Sequence, residues 1–299
     1  MRGTDRTGGM TRRPADGPPA LPSFDPLLPA QMARRAEETG VAKANGNWIN
    51  TLVLSVLAGA FIALGAEFFT MVTTASGAGY GLTRLIGGLA FSLGLFLVVV
   101  AGAELFTGNN LVVMAWASRR ISSARLLRNW GIVYAGNFAG ALATVGLVYL
   151  SKQWEFSNSE VGANALRIAD NKVDLGFTEA IALGILCNGL VCLAVWLSYS
   201  ARSVTDKFLA VVFPITAFVA SGFEHSIANM YFIPMGLLLK HEDRVVKVAG
   251  PAAGDLSNLT VGDFLLNNLL PVTIGNMIGG AVLVGAVYWF VYLRAPGDR

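Results

Sequence analysis

Six stretches of this 299-residue chain are too long and too apolar for ordinary soluble helices, and they limit the possible folds more than any other feature. They run near 48–74, 84–117, 125–150, 177–200, 207–239 and 263–293. A helix needs about 20 apolar residues to cross a bilayer, where every backbone N–H and C=O must be satisfied without water. Charged residues make up 14% of the chain and collect in the first 47 positions and in short clusters between the stretches. A soluble domain carries about 25%. The expected fold is an all-α membrane protein with six transmembrane helices.

Basic residues orient it. With the N-terminus inside, the inner segments hold 15 of the 22 Lys and Arg, including Arg34, Arg35, Lys43, Arg119, Arg120, Arg202 and Lys207. That bias predicts both termini in the cytoplasm. The cations are then explained by topology, and nothing indicates a nucleic-acid partner.

Residues 1–26 are rich in Pro, Gly and Arg without an apolar run, which predicts a disordered extension rather than a signal peptide. Residues 27–47 read as an amphipathic helix with Leu28, Met32 and Ala36 on one face. It would lie on the cytoplasmic membrane surface or cap a pore. The channel domain is expected over 48–294. Cys187 and Cys192 point to different sides of one span and read as packing residues, with no disulfide, metal or cofactor implied.

An internal repeat organises the spans. "GAELFTGNN" from Gly102 and "GFEHSIANM" from Gly222 share the pattern G-x-E-x-x-x-x-N: Gly102, Glu104, Asn109 and Gly222, Glu224, Asn229. "GNFAG" and "GNMIG" follow in the same order, with Asn137 and Asn276. The halves, about 48–150 and 177–294, therefore hold three spans each. An odd number per half reverses the second half in the membrane, the inverted-repeat plan in which broken helices meet near the midplane.

Spans 2 and 5 exceed what one crossing needs, and each carries its Gly-x-Glu inside, where Gly weakens a helix by about 1 kcal/mol relative to Ala. Breaks are expected there, with the Glu104 and Glu224 carboxylates accepting freed backbone N–H groups. His225 follows the second break and is placed to face a central cavity. It is either a neutral packing histidine or a proton-exchanging donor to a weak-acid anion. Thr107 would offer a hydroxyl opposite it, and Asn276 and Asn188 amide donors. Asn109, Asn229 and Asn137 read as interhelical hydrogen bonders holding the broken ends.

The stretches "AGAELFTGNN", "GNFAGAL", "CLAVWLSYSARS", "FVASGFEHSIANM" and "LPVTIGNMIGG" resemble the formate/nitrite transporter family, on its bacterial formate-channel branch. The resemblance spans residues 27–294. It implies an aquaporin-like protomer in a homopentamer of the bacterial inner membrane, each subunit carrying one path for a small anion. That anion would be formate, with nitrite, acetate and lactate as relatives. It also implies apolar constrictions at Leu95, Leu105, Phe91, Phe218 and Phe106, the last in a mobile loop over 105–109 near the cytoplasmic gate. His225, Thr107 and Asn276 would line the chamber between. Glu67 departs from the pattern, since an apolar residue is expected at that point of span 1.

Moving a small carboxylate into an apolar constriction costs several kcal/mol, whereas its neutral acid pays far less. A protonated His225 could attract formate and give it a proton, or the anion could pass intact. A nitrite channel of the same family is the alternative. A neutral-solute channel would need neither His225 nor the acidic breaks. An intramembrane hydrolase built on Ser221 and His225 is disfavoured because Gly222 lies between them and no G-x-S-x-G occurs.

Overall fold

The computed structural model of the chain describes residues 26–294, and every regular element among them is helical. The extension expected to be disordered lies outside the described residues except for Pro26, as do the last five residues. Helix α1 (Pro29–Ala44) is followed by α2 (Trp48–Thr73) and α3 (Tyr80–Ala101). Short helices α4 (Phe106–Asn109) and α5 (Val113–Ala117) lead into α6 (Ser123–Leu150). Then come α7 (Glu160–Val173), α8 (Phe177–Ser200), α9 (Val204–Ala220), α10 (Ser226–Leu239) and α11 (Asp243–Ala249). The last rod, α12, runs from Val261 to Tyr292.

Five of these, α2, α3, α6, α8 and α12, are long and apolar enough to cross a membrane. The expected continuous spans 84–117 and 207–239 are not single helices. Each is a long helix that stops at a glycine and a shorter helical stretch that resumes a few residues later. Large apolar side chains such as Leu147, Leu150, Phe213, Leu266 and Phe290 stand exposed on the outside, an arrangement suited to hydrocarbon or to a neighbouring subunit.

Local chemistry sets the ends. The Asn47 carboxamide accepts N–H bonds from Ile49 and Asn50 (2.9 and 3.2 Å) and starts α2. Ser203 and Asp206 form a reciprocal capping box at the start of α9. Helix α2 packs on α3 and α6, closely enough to α6 that a Cβ on Gly59 would lie 2.1 Å from the Asn137 carbonyl oxygen. In α12, wide π-helical turns over Phe264–Leu269 and Ile278–Ala286 flank an α-helical stretch that begins with Leu270 and Pro271. Pro271 has no N–H and its ring crowds the carbonyl one turn back, which a wider turn relieves.

Helix α1 is amphipathic, but its buried face is Met32, Ala33, Ala36, Gly40 and Ala44. Leu28 does not join it: it sits at the N-cap, outside the first turn, and is exposed. The connection between residues 150 and 177 is itself largely helical. It contains α7, which buries Val161, Leu166, Ala169 and Val173 and packs on α10.

Candidate functional site

The two broken helices are built alike. Gly102 and Gly222 both have φ of 76°, a left-handed conformation that side chains with a Cβ rarely adopt, and each ends its helix. The amides of Ala103 and Phe223 fold back onto the carbonyls of Val98 and Phe218, at 3.0 Å in both cases. The amides of Glu104 and Glu224 then leave their own helices altogether and bond to Leu54 in α2 and Leu183 in α8.

Asparagines, not the glutamates, cap the restarting helices. The Asn137 Oδ1 accepts the Phe106 N–H at 2.9 Å, while its Nδ2 donates to the carbonyls of Ser55 and Glu104. Asn276 repeats this: Oδ1 accepts the Ser226 N–H at 2.9 Å and Nδ2 donates to Gly184 and Glu224. The sequence expectation of carboxylate caps is therefore corrected. A carboxylate only accepts, whereas each break exposes both an N–H and a C=O, and a carboxamide serves both at once.

The glutamates hold side chains instead. Glu104 accepts from Asn109 Nδ2 (2.6 Å) and pairs with Lys43 (3.1 Å). Glu224 accepts from Asn229 Nδ2 (2.6 Å) and pairs with Lys172 (2.7 Å). Asn129 and Asn268 complete the two sets, each accepting from the break asparagine and donating to the lysine's backbone carbonyl. One difference separates them: Lys43 also donates to Asn109 Oδ1, whereas the buried Asn229 Oδ1 has no partner among the described residues.

The breaks meet at Thr107 and His225, both buried, with Oγ1 and Nε2 3.0 Å apart. His225 also caps α10, its Nδ1 accepting the Ala228 N–H at 3.1 Å. A ring nitrogen that accepts a backbone N–H carries no proton, so the neutral ring has its proton on Nε2 and donates to Thr107. The threonine hydroxyl is left with its own proton to offer.

Two cavities approach this pair from opposite ends. One, of about 250 Å³, is lined by His225, Phe91, Phe218, Glu224, Lys172 and Arg84 among others. The other, of about 500 Å³, is lined by Leu95, Leu105, Glu104 and Asn109 with residues of α1, α8 and α9. Phe91 meets Phe218 edge to face at 5.7 Å, and Phe218 stacks on the His225 ring at 5.9 Å. Arg84 lies over the Phe69 ring and donates to the Val219 and Ala220 carbonyls at the end of α9. His225 thus borders the first cavity beside the rings of Phe91 and Phe218, while Leu95 and Leu105, both buried, line the second, which neither Thr107 nor His225 reaches.

Other expected residues are placed differently. The Asn276 amide is wholly engaged with backbone groups, so it has no donor to spare for a passing anion. Asn188 donates to the carbonyls of Thr107 and Asn276 and ties the two breaks together. The Cys192 thiol reaches the same Thr107 carbonyl (3.3 Å), and Cys187 is buried. Phe106 lines neither cavity. Its ring turns away onto Tyr134 and Trp130 of α6, because neighbouring residues at a helix start point in different directions. Glu67 accepts from Gln153 beyond the end of α6 and, half-buried, lines neither of the two cavities but a small space shared with Val161 of α7 and Tyr231 of α10.

Lys43, Lys172, Asn129, Asn268 and Arg84 were not anticipated. Four of them carried a signal. Asn129 and Asn268 each lie eight residues before the Gly-Asn asparagine of their half, and Lys43 and Lys172 each lie five residues before α2 and α8. Among the described residues no three His, Cys, Asp or Glu side chains gather to hold a metal ion.

Residues 30–290 match the family described as Formate/nitrite transporter. The chain is 50% identical over 274 residues to the formate channel FocA of Escherichia coli K12, covering 91% of this chain and 96% of that one. It is 43% identical to the formate channel FocA of Haemophilus influenzae, covering 87% and 92%. Among solved structures it superposes on a pentameric formate channel with formate bound, with a TM-score of 0.77 and 43% identity, over 83% of this chain and 98% of that one.

Proposed function

The chain belongs to the formate/nitrite transporter family, and from that membership and the paired breaks we propose that it is a formate channel whose selective step is made at Thr107 and His225. It is a multi-pass membrane protein and a transporter, not an enzyme. The observation that carries the mechanism is the buried pair between two cavities. A formate oxygen entering from either side meets the Thr107 hydroxyl and the His225 Nε2–H, the donors a carboxylate needs once stripped of water.

For His225 to give a proton to formate and end neutral, it must first hold a second proton on Nδ1. That proton displaces the Ala228 N–H and removes one of the two side-chain caps of α10, leaving Asn276 on the Ser226 N–H, at a cost of about 1 kcal/mol. Protonation and loosening of the second break are then one event. Neutral formic acid pays far less than formate to pass the rings of Phe91 and Phe218 or the side chains of Leu95 and Leu105. Acetate and lactate present the same carboxylate and are expected to follow more slowly because of their size.

Each half contributes one broken helix, so six crossings arranged as an aquaporin-like inverted repeat account for the matched bonds at Glu104 and Glu224. Channel domain 48–294 would follow the cytoplasmic helix at 27–47, with both termini inside a bacterial inner membrane; the basic residues support that orientation. The superposition on a pentameric channel and the exposed apolar side chains support a homopentamer with one path per subunit.

Uptake of formate and of nitrite into proteoliposomes across a pH series is the test. Formate is expected to pass at least as well as nitrite, with flux rising as pH falls. A clear preference for nitrite would move the chain to the nitrite reading.

A further inference from the structure

The larger cavity is far roomier than a one-carbon anion requires, and it is lined by charges the proposed path does not use. Its volume of about 500 Å³ falls in the range that holds metabolite-sized ligands, ~300–1,000 Å³. Arg35 and Lys43 enter it from α1, Lys207 from α9 and Arg202 from just before α9, against the single carboxylate of Glu104. Glu104 is already engaged by Lys43 and Asn109. Arg35 and Lys207 form no ion pair among the described residues, so positive charge accumulates in a concave space, where the field is focused. The hydroxyl-bearing Thr39 and Tyr199 also line it.

We propose that this cavity binds a soluble multivalent organic anion of tricarboxylate size, which bridges Arg35 of α1 to Lys207 of α9 and blocks the path from that end. Valence separates blocker from substrate, because several carboxylates engage both cations at once while formate carries one charge. The bridge also fastens α1, which rests on the bundle through Met32, Ala33 and Ala36 against Val113, Met114 and Trp196. Binding itself is independent of the channel reading; its consequence for flux rests on it.

Citrate is the probe. Radiolabelled formate uptake is measured in phosphatidylcholine proteoliposomes with citrate, or chloride at matched ionic strength, on both sides. Citrate binding to the detergent-solubilised protein is followed by calorimetry. Citrate is expected to bind and to slow uptake, and Arg35→Gln and Lys207→Gln should each weaken both effects by about fivefold while leaving citrate-free uptake intact. Citrate acting no more strongly than matched chloride, or acting equally on wild type and both variants, overturns the proposal. A block by anionic lipid without citrate would place the occupant in the headgroup layer and overturn the assignment to a soluble anion. Wild type that binds citrate but moves no formate would sink the channel reading and leave the site standing.

Discussion

Thr107 and His225 are 118 residues apart in the chain, yet their Oγ1 and Nε2 atoms lie 3.0 Å apart inside the protein, each just past the break in its own half. Because Nδ1 is occupied by the Ala228 N–H, the histidine can act as hydrogen-bond donor without changing protonation, but can act as acid only by surrendering its cap. That distinction is measurable.

Substituting His225→Asn should keep the fold, since asparagine is a strong N-cap and can still accept the Ala228 N–H. Proton-coupled formate uptake is expected to fall by about a hundredfold, the lower end of what a positioned proton donor contributes. Formate flux with simultaneous recording of internal pH checks it. An unchanged proton-to-formate ratio in the variant would leave His225 as a packing residue.

The Lys172–Glu224 pair, 2.7 Å apart, joins a buried carboxylate to a partly buried lysine. Lys172→Met alone strands a buried carboxylate and should cost about 3–5 kcal/mol, read as lost oligomer on detergent gel filtration. The double variant Lys172→Met/Glu224→Gln should recover most of that loss. Equal damage in single and double variants would mean the charge itself is not what the lysine balances.

Asn137→Ala and Asn276→Ala remove three hydrogen bonds each at matched positions. Both should destabilise by roughly 3 kcal/mol, about 1 per bond. Thermal unfolding in detergent should give similar losses for the two. A large loss for one and none for the other would show that the two breaks are not held in the same way.

Asp170 gives a pH prediction outside the spans. Burial, with the negative charges of Asp174 and Asp255 adding to it, holds its carboxyl above the usual range. A raised carboxyl favours the folded state below its unfolded pKa and loses that contribution as pH rises through the folded one. Asp170→Asn should therefore raise the unfolding temperature at neutral pH, and the gain should vanish near pH 4. A gain independent of pH would point to packing rather than charge.

Hydropathy made the spans legible because the lipid requirement acts on each segment alone. Likewise Gly102 and Gly222 marked the breaks, since a left-handed residue in a helix is a local demand on one position. The repeat placed the acidic and amide residues in matched pairs. It did not say which group each would satisfy.

Those assignments were made only by the tertiary structure. The Phe106 N–H is closed by Asn137 and the Ser226 N–H by Asn276, from helices far along the chain, and the glutamates take lysines that precede other spans. Phe106, expected at a constriction, instead packs its ring edge to face on Tyr134 and Trp130 of α6 and lines neither cavity. A buried donor or acceptor must find a partner, but the partner depends on which helices pack together. Composition and spacing therefore decide that the chain crosses the membrane and where it breaks, while packing decides which carboxamide, lysine or hydroxyl stands at each break.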